Sequence, residues 1–316
     1  MASYILRRIL IAIPVLIGVT IFNFIIINMA PGNPVEMFID PNTTEEQIQL
    51  RKEQLGLDDP LWMQYLRWMN NLLHGDLGFS YSTYEPVTNI ILERLGPTFL
   101  LMGLALLISI LIALPIGIIS ATKQYSQIDY LSTGASFLGI SIPHFFLGLG
   151  AIYIFSLQLN LLPTGGMSTM GSESGGYDRL LHLILPVFVL ATGIVGKLIR
   201  YIRASMLDVL GQDFLRTARA KGLREFVVTN KHALRNALIP IITVIGLEIP
   251  LLLGGAVITE QVFQWPGMGQ LTMQAIMSRD YPTLMAINLL AAIIVLFANL
   301  LTDILYSVAD PRIKYN

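Results

Sequence analysis

Residues 97–121 read PTFLLMGLALLISILIALPIGIISA, without one charged side chain. A helix needs about 20 mostly apolar residues to cross the hydrocarbon core of a bilayer. Lipid offers backbone amides and carbonyls no water, so such a stretch must satisfy them internally, as a helix. Five other stretches have the same character: 9–30, 132–159, 180–200, 238–260 and 283–308. The expectation is an all-α polytopic membrane protein with six spanning helices, forming one transmembrane unit over 1–316. Pro143 in the third stretch and Pro250 in the fifth predict kinks, with the freed carbonyls covered by neighbouring helices.

Composition agrees. Of 316 residues, 54% are apolar and 13% charged, against about 25% charged in an average soluble chain. So few charges cannot cover a soluble surface of this size. The formal net charge of −1 gives no basic balance that would suit nucleic acid, and the lack of cysteine excludes disulfides, thiolate metal sites and cysteine nucleophiles. Arg7-Arg8 before the apolar run 9–30 imitates a secretory signal. That run is longer than the roughly 7–15 residues of a signal core, and no clean small-x-small cleavage site follows, so a retained first helix is expected.

Basic residues set the orientation. With the N-terminus inside, the cytoplasmic pieces hold Arg7, Arg8, Lys123, nine Lys/Arg from Lys197 to Arg235, Arg312 and Lys314, which is 14 of the 20. Segment 31–96 holds four basic against ten acidic residues and is expected outside. Both termini are then cytoplasmic. Within 31–96, Pro60–Leu73 has aromatic and aliphatic residues at helical spacing. Trp62, Tyr65 and Trp68 suit the membrane–water interface, and equally a helix packed on top of the bundle. The Gly/Ser-rich run 163–178 reads as a flexible external loop.

The most informative connection is the cytoplasmic loop 201–237, within YIRASMLDVLGQDFLRTARAKGLREFVVTNKHALRNALIP at 201–240. Asp213 is expected to cap a short helix, Phe214 to Lys221, which Gly222 stops. A second amphipathic run follows through Phe226, Val227, His232 and Leu234, and the chain enters the membrane near Leu238. The small residues Ala218 and Ala220 would let another surface approach, and Gly222 would permit a sharp turn. From charge alone, a basic loop lying on anionic headgroups explains the segment as well as a docking site does.

RTARAKGL at 216–223 followed by HALRNALIP at 232–240 resembles the coupling loop of ATP-binding-cassette importer permeases of the oligopeptide/dipeptide/nickel family. In that family a loop of the form E-A-A-three residues-Gly docks on a cytoplasmic ATPase. Gly222 matches the glycine and Ala218 the second alanine, while Arg216 and Thr217 stand at the glutamate and first alanine. The coupling residues implied are Arg216, Thr217, Ala218, Arg219, Lys221, Gly222 and Leu223. The resemblance extends to APGNP at 30–34, LGLDDP at 55–60, QYLRW at 64–68, GDLGFS at 75–80, ERLGPT at 93–98, SIPHFFLG at 141–148 and VITEQVFQWPGMGQL at 257–271, which are similar to B-type subunits.

That resemblance implies a type I importer transmembrane-domain fold in a bacterial or archaeal cell membrane. It implies as partners a second homologous permease, two ATPase chains and an extracytoplasmic solute-binding protein, besides the lipid bilayer and without nucleic acid. Peptides are the implied solute, with nickel or another small solute as the alternative. ATP and magnesium would sit on the ATPase chains, and no cofactor on this one.

The residues agree that ATP is handled elsewhere. The Gly196-Lys197 pair lacks the upstream glycine of a phosphate loop, and Leu198 replaces its hydroxyl. An intramembrane enzyme lacks support: there is no HExxH or GxSxG, and the four histidines are scattered. An ion-coupled carrier needs ionisable groups at membrane depth, and Glu248 is the clear candidate. Pro143 and His144 in the third span are candidates for lining a path, although helix packing also explains His144. In the turn after the fifth span, Glu260 is expected to accept hydrogen bonds from nearby amides. Phe263, Pro266 and Gly267, with Trp265, would close an outer gate, or the aromatics would sit at headgroup level.

Overall fold

In a computed structural model, residues 2–29, 44–169, 171 and 175–309 are described. APGNP at 30–34 lies outside them. The helices are α1 (Ala2–Met29), α2 (Glu45–Leu55), α3 (Leu61–Leu73), α4 (Val87–Thr122), α5 (Gln127–Ser141) and α6 (His144–Ala151), the last continuing as a π-helical segment, Ile152–Gln158. They continue with α7 (Gly176–Leu210), α8 (Asp213–Ala220), α9 (Glu225–Val227), a π-helical segment Val228–Ala233, α10 (Leu234–Val262), α11 (Met268–Met277) and α12 (Tyr281–Ala309). Among the described residues the only β pairing is one isolated bridge, Phe79 with Pro86.

Five segments are long and apolar enough to cross a bilayer: Leu6–Met29, Val87–Thr122, Gly176–Leu210, Glu225–Pro250 and Tyr281–Tyr306. The sixth is a bent pair, Gln127–Ser141 with His144–Gln158, at 97°. The single kinked helix expected over 132–159 is therefore two helices, and the first begins at Gln127. Proline restricts its predecessor to extended conformations, and Ile142 adopts φ −80°, ψ 122°. Pro143 then caps the start of α6, where its missing N–H costs nothing. Pro240 and Pro250, by contrast, lie inside an uninterrupted α10.

The centre of the bundle is α7, packed against α4, α5, α6 and α10. Small residues allow close approach without a hydrophobic drive between helices in lipid. A Cβ on Gly196 would stand 2.7 Å from the Ser136 carbonyl of α5, and one on Gly139 3.0 Å from that of Thr192. Helix α1 packs along α12, where Arg8 pairs with Asp303 at 2.8 Å. The α3 helix rests on α1: the Tyr65 hydroxyl lies 3.0 Å from that of Thr20, and its ring meets Phe24 edge-on. Trp62 stays exposed, so α3 is both bundle-packed and amphipathic.

Two surface connections are tied down. Asp280, just before α12, accepts from the Ser80 hydroxyl, the Tyr81 amide at 3.0 Å and the Thr283 hydroxyl at 2.8 Å. This fixes the GDLGFS turn. The flexible loop expected at 163–178 is partly docked: the Gly166 amide donates to the Phe263 carbonyl at 2.8 Å. A Cβ on Gly165 would overlap that carbonyl, so glycine is required by the approach of two backbones.

Candidate functional site

The loop between α7 and α10 is a packed structure. Leu215 and Ala218 on α8 are buried in a cluster with Met206, Val228, Ala233 and Ala237. Asp213 is the first residue of α8 rather than its cap, and Gln212 precedes it without a side-chain cap bond. The carboxylate of Asp213 still lies at the positive end of the helix dipole, 3.4 Å from Arg216. Ala218 is 8% exposed. Its small side chain serves packing within the loop, not the approach of an outside surface as expected from the sequence. Gly222 has φ +76°, a region costing other residues about 1–2 kcal/mol, and nothing lies within 4 Å of a Cβ there. Backbone conformation, not crowding, demands this glycine. Arg219 and Glu225 then tie α8 to α9 at 2.7 Å.

What the loop presents outward is mixed. Arg216, Thr217, Arg219, Lys221, Gly222 and Leu223 are exposed, and beside them Phe226 is 77% exposed.

Where α7 emerges toward this loop, Arg203 makes a bidentate pair with the buried Asp129 at 2.6 and 2.8 Å. Asp129 also accepts from the Ser120 hydroxyl and the Tyr125 amide. The turn between α4 and α5 is thereby locked to the helix that carries the loop. Sequence reading missed this pair. The available signal was an aspartate opening an apolar helix.

Within the spanning region, Glu248 of α10 is buried and faces Lys197 of α7 at 3.4 Å. Lys197 stands six residues before Arg203 on α7, about 9 Å along the axis. His144, at the start of α6, lies over Gly193, one turn before Lys197, with Nε2 2.6 Å from where a Cβ would be. The expected path residues His144 and Glu248 thus converge on Lys197, while Pro143 supplies the break beside them.

At the opposite end, Glu260 near the close of α10 is fully buried. It accepts from the amides of Gly269 at 2.7 Å and Gln270 at 3.2 Å, and from the Thr98 hydroxyl at 2.6 Å. Thr98 in turn accepts from the Met268 amide at 2.7 Å. A carboxylate at a helix N-terminus satisfies orphan donors and the dipole together. A Cβ on Gly267 would overlap the Glu260 carboxylate, and one on Gly269 would overlap Val257 Cα. Phe263 and Trp265 are buried inside the protein: Trp265 is 0% exposed, and its Nε1 donates to the Pro97 carbonyl at 3.0 Å. Pro266 completes the turn between them and α11. Sequence reading did not find Thr98, whose only signal is a hydroxyl at the mouth of an apolar helix.

The fold is that of a type I ABC importer transmembrane domain. A solved structure described as inward-facing conformations of the MetNI methionine ABC transporter matches with TM-score 0.57, covering 71% of this chain and 97% of that one. At 15% identity the likeness speaks for the fold alone. Two family models match: the binding-protein-dependent transport system inner membrane component over 113–315, and its N-terminal region over 1–102. Along its full length the chain is 47% identical to the whole of the oligopeptide transport system permease protein AppB of Bacillus subtilis. It is 38% identical to the dipeptide transport system permease protein DppB of Escherichia coli K12, over 100% of this chain and 99% of that one. It is also 38% identical to the glutathione transport system permease protein GsiC of Escherichia coli O6:H1, over 100% of both. The chain belongs to the binding-protein-dependent transport system inner membrane component family, and is a multi-pass ABC importer permease.

Proposed function

We propose that this permease carries peptides inward as one half of a translocation path, acting as a single transmembrane unit over 1–316. Its partners are a second homologous permease, two cytoplasmic ATPase chains and an extracytoplasmic binding protein that delivers the solute. ATP is hydrolysed on the ATPase chains. The membrane is the inner or plasma membrane of a bacterial or archaeal cell, with both termini cytoplasmic. The full-length likeness to permeases named for oligopeptides and dipeptides supports the solute class.

The observation that carries the mechanism is the surface of the 213–235 loop. An exposed Phe226 beside Phe214, Leu223 and a ring of cations, on a rigid helical pair, suits insertion into a cleft of another protein. Movement of the docked ATPase would shift α8, and the Asp129–Arg203 clamp would carry that shift to α4 and α5. ATP binding then biases two conformations that open the path to opposite sides. The Glu260 turn would act at the outer mouth, where a liganded binding protein lands.

Reconstitution of the purified four-chain complex with its binding protein tests this reading. Uptake of peptide into proteoliposomes should require ATP, and Gly222→Asp should abolish it while the complex still assembles. Normal uptake by that variant would remove the docking role.

A further inference from the structure

Lys197 and Glu248 meet loosely. Their Nζ–O distances are 3.4 and 3.5 Å, against roughly 2.7–2.9 Å for a tight charge-assisted bond. Neither side chain makes another hydrogen bond among the described residues. Glu248 is almost fully enclosed, while 41% of the Lys197 side chain is open. The carboxylate stands about 20 Å along α10 from Arg235 at its cytoplasmic end.

Two ordinary explanations fall short. A lysine facing lipid at depth costs about 2.5–3.5 kcal/mol, and this one points at a carboxylate on the inner side of the bundle. In the assembled importer proposed above, its open side would face the path. As a structural staple the pair is poor, because a buried ion pair with imperfect geometry barely offsets its own desolvation. What the geometry leaves available is at least one unused ammonium proton and two unused carboxylate lone pairs, side by side.

We propose that Lys197 and Glu248 form a subsite for the charged termini of a peptide in transit, an inference resting on the peptide-import reading above. Lys197 would take the C-terminal carboxylate and Glu248 the N-terminal ammonium. The pair opens and exchanges partners, so every charge keeps a counter-charge in a low-dielectric space. A solute lacking termini would have to compete with the closed pair. The termini of a di- or tripeptide lie at most about 11 Å apart, so both ends engage together. Longer peptides engage one end at a time.

The test uses the reconstituted complex with liganded binding protein at saturation. The probes are alanine-based di- to pentapeptides, both with free termini and doubly capped by N-acetyl and C-amide groups, with lumenal content read by mass spectrometry. The variant is the double change Lys197→Gln/Glu248→Gln, which keeps two hydrogen-bonding side chains and leaves no unpaired buried charge. The same binding protein serves both complexes, so its own selection cancels in the comparison. The expected result is that the native preference for free over capped peptides falls about tenfold in the variant, matching one lost charge-assisted bond. Lys197→Gln alone should lower import of free-acid peptides more than that of their amides. An unchanged free-to-capped ratio in the double variant would overturn the subsite and leave peptide import standing. Failure of the native complex to import any of these peptides, while its ATPase responds to the binding protein, would overturn both.

Discussion

The Thr98 hydroxyl donates to the Glu260 carboxylate at 2.6 Å and accepts from the Met268 amide at 2.7 Å. One side chain of α4 is thus shared between the end of α10 and the start of α11. All three groups are buried, so loss of any one leaves donors or acceptors without water. We predict that Thr98→Val lowers stability by about 1–3 kcal/mol. Combined with Glu260→Gln, it should show a coupling above about 0.5 kcal/mol in a double-mutant cycle. Thermal unfolding of the purified complex in detergent checks this, and strict additivity would mean that the three groups do not act together.

The outer turn was partly legible in the sequence. An acid seven residues before the Gly267-Met268-Gly269 turn suggests an anchor accepting amides, and Glu260 accepts two. The sequence leaves the aromatics open between a gate and an interface, because amphipathic rings suit both an interface and a core, and only tertiary packing decides. Trp265 lies against Leu101, Leu183 and Leu190, and Phe263 against Leu185 and Val189. Hydropathy picks out the long apolar helices, yet it carries no angle, so Pro143 announces a break without its 97°. Charge counting carries no pairing, so it does not set Lys197 against Glu248. Pairings such as Asp129 with Arg203 join residues 74 apart, and a single sequence holds no signal for that distance.

For Asp129 and Arg203 the expected consequence is asymmetric. Arg203→Ala strands a buried carboxylate and should cost about 3–5 kcal/mol. The double change Asp129→Asn/Arg203→Gln removes both charges and should recover most of that loss. The yield of assembled, monodisperse complex gives the comparison. Equal yields for the single and double variants would show that the pair carries no structural weight.

At Gly222 the demand is for a left-handed turn in open space. Asparagine visits that region readily and β-branched residues do not. Gly222→Asn should therefore keep α8 and α9 packed and the complex assembled, while Gly222→Val should disrupt the loop and lower assembly. Protease sensitivity of the loop in purified complex separates the two. Similar protection of both variants would argue against the turn as the reason for glycine.

The orientation is tested in intact cells, taking advantage of the absence of cysteine. Ser80 is buried against Asp280 and unsuitable for labelling, whereas Thr83 and Lys221 are exposed. Thr83→Cys should react with an impermeant maleimide from outside, and Lys221→Cys only after the membrane is opened. The reverse pattern would invert the topology and remove the coupling role of 213–235.

The central claim is that this loop meets an ATPase rather than lipid headgroups. Leu223 sits at its tip, partly exposed, just after the Gly222 turn. A benzophenone maleimide attached to Leu223→Cys in the assembled complex, activated by light and followed by mass spectrometry, reports what touches the tip. The account predicts covalent adducts with the ATPase subunit, changing in yield when ATP is bound. Adducts with lipid and none with the ATPase would contradict it.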